Sequence, residues 1–175
     1  MVIWITGLSG SGKTTIAKKI YKKIKANYNN CILLDGDIIR EALNYSWGYS
    51  LDERLKGAKQ IHGLCKILDN EEAIVICATM SLFSEIHKLN RKRFKQYIEI
   101  FLDVDIETLI KRDKNNLYSK ALQGLEKEVV GITLPYDKPN NADLILKNNT
   151  NIELEKNIHI ITNYLQQNYK LKIKE

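Results

Sequence analysis

Gly7-Leu8-Ser9-Gly10-Ser11-Gly12-Lys13-Thr14 is the stretch on which the reading of this fold turns. It follows Val2-Ile3-Trp4-Ile5-Thr6, an apolar run of strand length, and precedes a lysine-rich segment whose apolar residues recur at helical spacing to about Asn27. Strand, glycine-rich loop and helix in that order, with the spacing G-x-x-x-x-G-K-[ST], describe a phosphate-binding loop. The glycines let successive backbone N–H groups turn toward phosphate oxygens without Cβ clashes. The helix N-terminus adds its positive end. Lys13 can reach the β- and γ-phosphates as a point charge, and the Thr14 hydroxyl is placed for Mg²⁺. A glycine-rich turn that matches by chance is the bland alternative, and the flanking strand and helix argue against it.

Outward from the loop the alternation continues. Cys31–Leu34, Ala73–Cys77, Tyr97–Leu102 and Leu144–Leu146 are short apolar runs, and Leu51–Asp69, Ser84–Lys95 and Ile152–Gln167 have helical spacing. Strands alternating with helices predict an α/β, three-layer P-loop kinase fold, with a parallel sheet of about five strands and helices on both faces. Residues 115–139 are polar, contain Gly124, Gly131 and Pro135, and carry no strand-like run. They are expected to form a mobile lid on a single domain spanning 1–175.

Composition removes several classes of function. The chain has 175 residues, 44% hydrophobic and 27% charged, within the range of a globular domain with its own core. No apolar run approaches the roughly 20 residues of a membrane span, and Met1–Thr6 lacks the basic region and cleavage site of a secretory leader. Cys31, Cys65 and Cys77 have no metal-ligand spacing and read as reduced core thiols of a cytoplasmic protein. The net charge of +6 fits nucleic acid, an acidic surface or a small anion equally well. No aromatic–basic interleaving or basic recognition helix favours nucleic acid.

The loop is shared by kinases, switch GTPases and motor ATPases. There is no Asn-Lys-x-Asp guanine-reading motif, no Asp-x-x-Gly switch and no strand ending in Asp-Glu, so a small-molecule kinase fits best. The acceptor side is expected at Asp35-Gly36-Asp37-Ile38-Ile39-Arg40, where the second strand gives out, since ligands bind beyond the carboxyl ends of parallel strands. Two carboxylates there can serve Mg²⁺ and take a proton from an attacking hydroxyl, while Arg40 holds an anionic group. The alternative is a capped turn, with Asp37 as N-cap and Arg40 as a surface charge.

With these residues assembled, the sequence resembles the adenylylsulfate kinases. Trp4 to Ala17 and Leu34-Asp35-Gly36-Asp37-x-x-Arg40 carry the likeness. It continues through Gly48-Tyr49-Ser50, Glu53-Arg54, Arg112-Asp113, Leu117-Tyr118, Lys120-Ala121, Gly131-Ile132 and Pro135-Tyr136. The resemblance implies transfer of the ATP γ-phosphate to a nucleotide 3′-hydroxyl, with Mg²⁺. It places Asp37 nearest the acceptor hydroxyl and Asp35 with Thr14 at the metal. Lys13 acts on the transferred phosphate, and Gly7 to Thr15 hold ATP. Arg112 is expected on the adenine. Arg40 and Arg54 are expected on the acceptor phosphates, Tyr49 on its base, and Lys120 and Tyr136 beside it. A homodimer is also implied.

The departures from the family fall on the acceptor side. Gly57 stands where the family carries an Asn that contacts the acceptor base, and Lys59-Gln60 replace an arginine pair. Thr79-Met80-Ser81-Leu82-Phe83 replace Phe-Ile-Ser-Pro-Tyr, and Ser84 replaces an arginine. A base edge left unpaired costs about 1–3 kcal/mol, so a changed acceptor is expected. The segment around Thr79–Phe83 with Glu85-Ile86-His87 resembles a branch of the family that phosphorylates cytidine 5′-diphosphoramidate in capsule phosphoramidate synthesis. Selectivity would then lie at Gly57, Thr79, Met80, Ser81 and Leu82. The alternatives are adenylyl sulfate as acceptor, or a nucleotide-binding module without catalysis. His87 is either an acceptor contact or a structural histidine.

Overall fold

The structure is a computed structural model that describes residues 1–44 and 47–173. The apolar runs become five parallel strands: β1 (Val2–Thr6), β2 (Cys31–Asp35), β3 (Ile74–Ala78), β4 (Tyr97–Leu102) and β5 (Leu144–Leu146). Their order is β2-β3-β1-β4-β5, which puts the strand before the glycine-rich loop at the centre. Val2 lies between Val75 and Tyr97, and Ile5 between Ala78 and Ile100. All five residues of β1 are buried, as a central strand covered on both faces requires.

Alternation along β1 divides the core. Ile3 and Ile5 face α1 (Lys13–Lys25) and α7 (Asn151–Tyr169), packing with Ile16, Ile20, Ile24, Ile158, Ile161 and Leu165. Val2 and Trp4 face the other layer, where α3 (Leu51–Asn70) and α4 (Ser84–Arg93) supply Ile61, Cys65 and Ile86. Capping boxes set the starts of α3 and α7: Ser50 and Glu53 in one, Thr150 and Glu153 in the other. Burial accounts for all three free thiols, Cys31, Cys65 and Cys77. Among the described residues no helix is long and apolar enough to cross a membrane.

The sequence expectations for the strands hold to within one residue, and those for the long helices to within two at each end. Three short helices add to them: α2 (Gly36–Ala42), α5 (Ile106–Arg112) and α6 (Leu117–Leu122). The last falls inside the segment expected to be a polar lid. Tyr118 and Ala121 of α6 join Val129, Val130, Leu8, Leu82, Phe101 and Leu109 in a third apolar cluster at the carboxyl end of the sheet. The segment is therefore anchored at Tyr118 and Ala121 and again at Val129 and Val130, while Leu122 and Leu125 between them are exposed.

Candidate active site

A phosphate-binding loop must present N–H groups inward, which leaves its carbonyls facing away and in need of donors. Four successive carbonyls here each receive one. Lys13 Nζ donates to Leu8 O at 2.8 Å, Tyr118 Oη to Ser9 O at 2.8 Å, Arg112 Nη1 to Gly10 O at 3.0 Å and Asn148 Nδ2 to Ser11 O at 2.7 Å. Asn148 is itself held by Asn157 Nδ2 of α7 at 3.3 Å and by the Arg112 Nη2 bond to its carbonyl at 2.7 Å. Gly12 precedes α1 with φ 95°, and a Cβ there would strike the Asn148 amide. Glycine is thus required twice over at this position, by conformation and by space.

Lys13 is half-buried, its ammonium folded beneath the loop. Desolvation lowers its pKa from 10.5 to about 8, against the opposing charges of Asp37 and Asp35 and with help from Lys114. Across from the loop, β2 ends at Asp35. Its Oδ2 accepts from Thr14 Oγ1 at 2.7 Å, and its Oδ1 caps α2 by accepting from Asp37 N at 3.0 Å. Asp35, not Asp37, is therefore the N-cap. The Asp37 side chain is 82% exposed, with Lys114 Nζ at 3.2 Å. One carboxylate is structural and engaged; the other stands open in the cleft.

The cleft between these walls has a volume of about 760 Å³. Arg40, Tyr49, Arg54, Gly57, Thr79, Met80, Ser81, Leu82 and Tyr136 come to it from five segments, opposite Ser9, Gly10, Gly12, Lys13, Thr14 and Thr15, with Arg112 at the edge. Gly7, Leu8 and Ser11 of the same loop are not among the lining residues. Lys120 is not among the lining residues: α6 turns Tyr118 and Ala121 inward and leaves Lys120 exposed. Arg112 lines the cleft, but the bonds it makes are to the loop and Asn148 carbonyls.

Tyr49 is 51% exposed and flanked by two guanidinium groups, Arg40 at 3.9 Å and Arg54 at 5.1 Å from its ring centre. Arg54 Nε donates to Tyr49 O at 2.6 Å and its Nη2 to Glu128 O at 2.8 Å, joining α3 to the segment 115–139. Thr79 and Ser81 are buried and hydrogen-bonded to each other at 2.9 Å. His87 is buried behind them, its Nε2 at 2.8 Å from Ser81 O and its Nδ1 at 3.5 Å from Glu99 Oε1. The ring supports the Thr79–Phe83 loop from below and is not part of the cleft lining. Burial pushes the Glu99 carboxyl above its usual range, against the pull of His87 and Arg91.

Sequence reasoning missed Trp47, Lys114, Glu128 and Asn148. Glu128 and Asn148 bond through backbone or to backbone, and no spacing signals that. Trp47 gives Gly57 a different reason from the one expected. A Cβ on Gly57 would lie 2.6–2.7 Å from three indole atoms, so the missing side chain at 57 is the space the tryptophan fills.

The family model described as adenylylsulphate kinase matches residues 1–147. A cytidine diphosphoramidate kinase from Campylobacter jejuni subsp. jejuni serotype O:2 is 42% identical over 160 residues, covering 91% of this chain and 93% of that one. A probable adenylyl-sulfate kinase from Aeropyrum pernix is 34% identical over 155 residues, covering 86% and 85%. Among solved structures, the Mycobacterium tuberculosis APS kinase CysC in complex with AMPPNP and APS superposes with a TM-score of 0.85 at 27% identity, over 95% of this chain and 97% of that one. The match extends through both walls of the cleft and nearly the whole length of these relatives, and the chain accordingly belongs to the adenylylsulfate kinase family of ATP-binding phosphotransferases.

Proposed function

We propose that the protein transfers the γ-phosphoryl group of ATP to the ribose 3′-hydroxyl of cytidine 5′-diphosphoramidate, in capsule phosphoramidate synthesis. The observation that carries the transfer is an exposed carboxylate, Asp37, ion-paired with Lys114 at 3.2 Å, that lines the same cleft as the Lys13 ammonium and is the strongest opposing charge on it. The acceptor rests on the 42% identity with a cytidine diphosphoramidate kinase and on an acceptor wall that departs from the wider family at Gly57 and Thr79–Ser84.

Asp37 takes the proton of the 3′-hydroxyl. The freed oxygen bonds to the γ-phosphorus, the bond from that phosphorus to the β,γ-bridging oxygen breaks, and ADP leaves. Lys13 and the loop N–H groups stabilise charge on the equatorial oxygens. Arg40 and Arg54 hold the acceptor's phosphate side, and Tyr49 offers its ring to the base. Thr14 Oγ1 and Asp35 Oδ2 are oxygen donors of the kind Mg²⁺ takes. They would hold that ion, which would neutralise charge on the β- and γ-phosphates. Residues 115–139 act as the lid, excluding water once both nucleotides are bound. The whole chain works as one domain, as a homodimer in the cytoplasm.

Adenylyl sulfate is the second reading, favoured by the family model and by relatives such as the one from Aeropyrum pernix. The discriminating experiment follows ADP release with each acceptor in turn. A higher kcat/KM for cytidine 5′-diphosphoramidate is expected, and a higher value for adenosine 5′-phosphosulfate would replace the first reading by the second.

A further inference from the structure

Trp47 lies between α2 and α3 and is 8% exposed, and what surface it keeps faces the cleft. Its partners in the core are Ile39, Ala58 and Ile61, so the indole forms the boundary between that core and the cleft. Its seat is bare backbone: any side chain at Gly57 would meet ring atoms Cε2, Cδ2 and Nε1. The ring cannot withdraw toward α3, because the helix backbone is already against it. Arg40 stands 6.0 Å from the indole centre and 3.9 Å from that of Tyr49, so the indole and the base-facing ring share one cation.

Resting on the proposed acceptor half of the cleft, we infer that Trp47 is its specificity-determining residue: seated on Gly57, the indole limits the depth of the base subsite to one ring. A purine exceeds a pyrimidine by one fused ring, and the indole is itself a fused two-ring system that fills space a smaller side chain would leave open. Filling the subsite from the protein side therefore favours the smaller base, without any hydrogen bond to the base edge. Gly57 is the second half of the device, since it alone lets the indole sit low enough to leave any subsite at all.

The test measures binding, so that it stands apart from turnover. With the donor side filled by AMPPNP, titration calorimetry gives Kd for cytidine 5′-monophosphate and adenosine 5′-monophosphate. Wild type is expected to favour the cytidine nucleotide by about tenfold or more, and Trp47→Leu to lose that preference through tighter adenosine binding. Gly57→Ala is expected to weaken both nucleotides in the wild-type background and to be nearly neutral alongside Trp47→Leu, because the clash it creates is with the indole. Trp47→Phe, with melting temperatures for all variants, guards against loss of fold, and an intermediate preference is expected from it. An unchanged base preference in folded Trp47→Leu and Trp47→Phe, or equal harm from Gly57→Ala in both backgrounds, would overturn the inference. Failure of phosphoryl transfer with both acceptors would count against the proposed function and leave these binding ratios to decide the role of Trp47.

Discussion

Lys13 makes the donor site sensitive to pH in a way that can be worked out in advance. Burial lowers its pKa to about 8 in the free protein, and the polyanionic triphosphate of bound ATP restores the ammonium. ATP binding must then take up the missing proton: about 0.1 per site at pH 7, about 0.5 at pH 8 and about 0.9 at pH 9. The apparent Kd for ATP should rise about tenfold between pH 7 and pH 9, equivalent to roughly 1.4 kcal/mol. A lysine at its usual pKa of 10.5 would change almost nothing over that range. A phosphate that ionises near pH 6 contributes at the pH 7 end only, so the proton count is read at pH 8 and above.

Calorimetry in buffers of different ionisation enthalpy reads the proton count directly. The sign for the fold alone is opposite. A lowered lysine pKa means the free protein gains stability as pH rises from about 8 toward 10.5, while the complex weakens. Lys13→Arg keeps its charge throughout and should abolish the proton uptake. Asp37→Asn removes a charge that raises the Lys13 pKa, so it should shift the uptake to lower pH. A flat Kd and no uptake at pH 8 would refute the desolvation argument.

Two further substitutions test the walls of the cleft. Asp37→Asn should leave the ATP-free fold intact and lower kcat about 10²–10⁴-fold, and an unchanged kcat would move the base role to another group. Asn148→Ala leaves the Ser11 carbonyl without its side-chain donor, at a cost of about 1–3 kcal/mol. It should raise KM for ATP well above KM for the acceptor and lower the melting temperature, and an equal effect on both KM values would show that Asn148 does not act through the loop.

Strands and loop were legible in the sequence because their signals are local. A parallel strand covered on both faces is predominantly apolar, as Val2–Thr6 and, apart from Glu99, Tyr97–Leu102 are; Leu144–Leu146, at the sheet edge with Ile145 exposed, is also bounded as expected. The short helices were not legible. In α6, Tyr118 and Ala121 alone are buried among six residues, too few to establish a period. The chain enters it through Asp113, Asn115 and Asn116 at φ 34°, 60° and 56°, a left-handed turn that asparagine tolerates and that reads from sequence as loop. The same limit applies to the site. Asp35, Asp37 and Arg40 sit within six residues, whereas the Trp47–Gly57 contact joins residues ten apart and the Asn148 bond to Ser11 spans 137. Gly57 was legible as a departure, but its cause was not, because that cause is another residue's volume.

The two walls differ in what they are made of. The loop wall is backbone, and its shape is fixed by four carbonyl bonds and a left-handed glycine. Changing one loop residue disturbs a geometry that every other loop residue depends on. The facing wall is made of side chains from separate segments: Arg40 on α2, Tyr49 before α3, Arg54 on α3, and Thr79 and Ser81 after β3. Each can change without moving the others' backbone, provided volume is conserved locally. Trp47 with Gly57 is such a conserved-volume pair, a large ring balanced by an absent side chain. On the proposed acceptor reading, Arg40 and Arg54 hold the phosphate side, and the base end is where the volume of Trp47 would do the selecting that a polar contact would otherwise do.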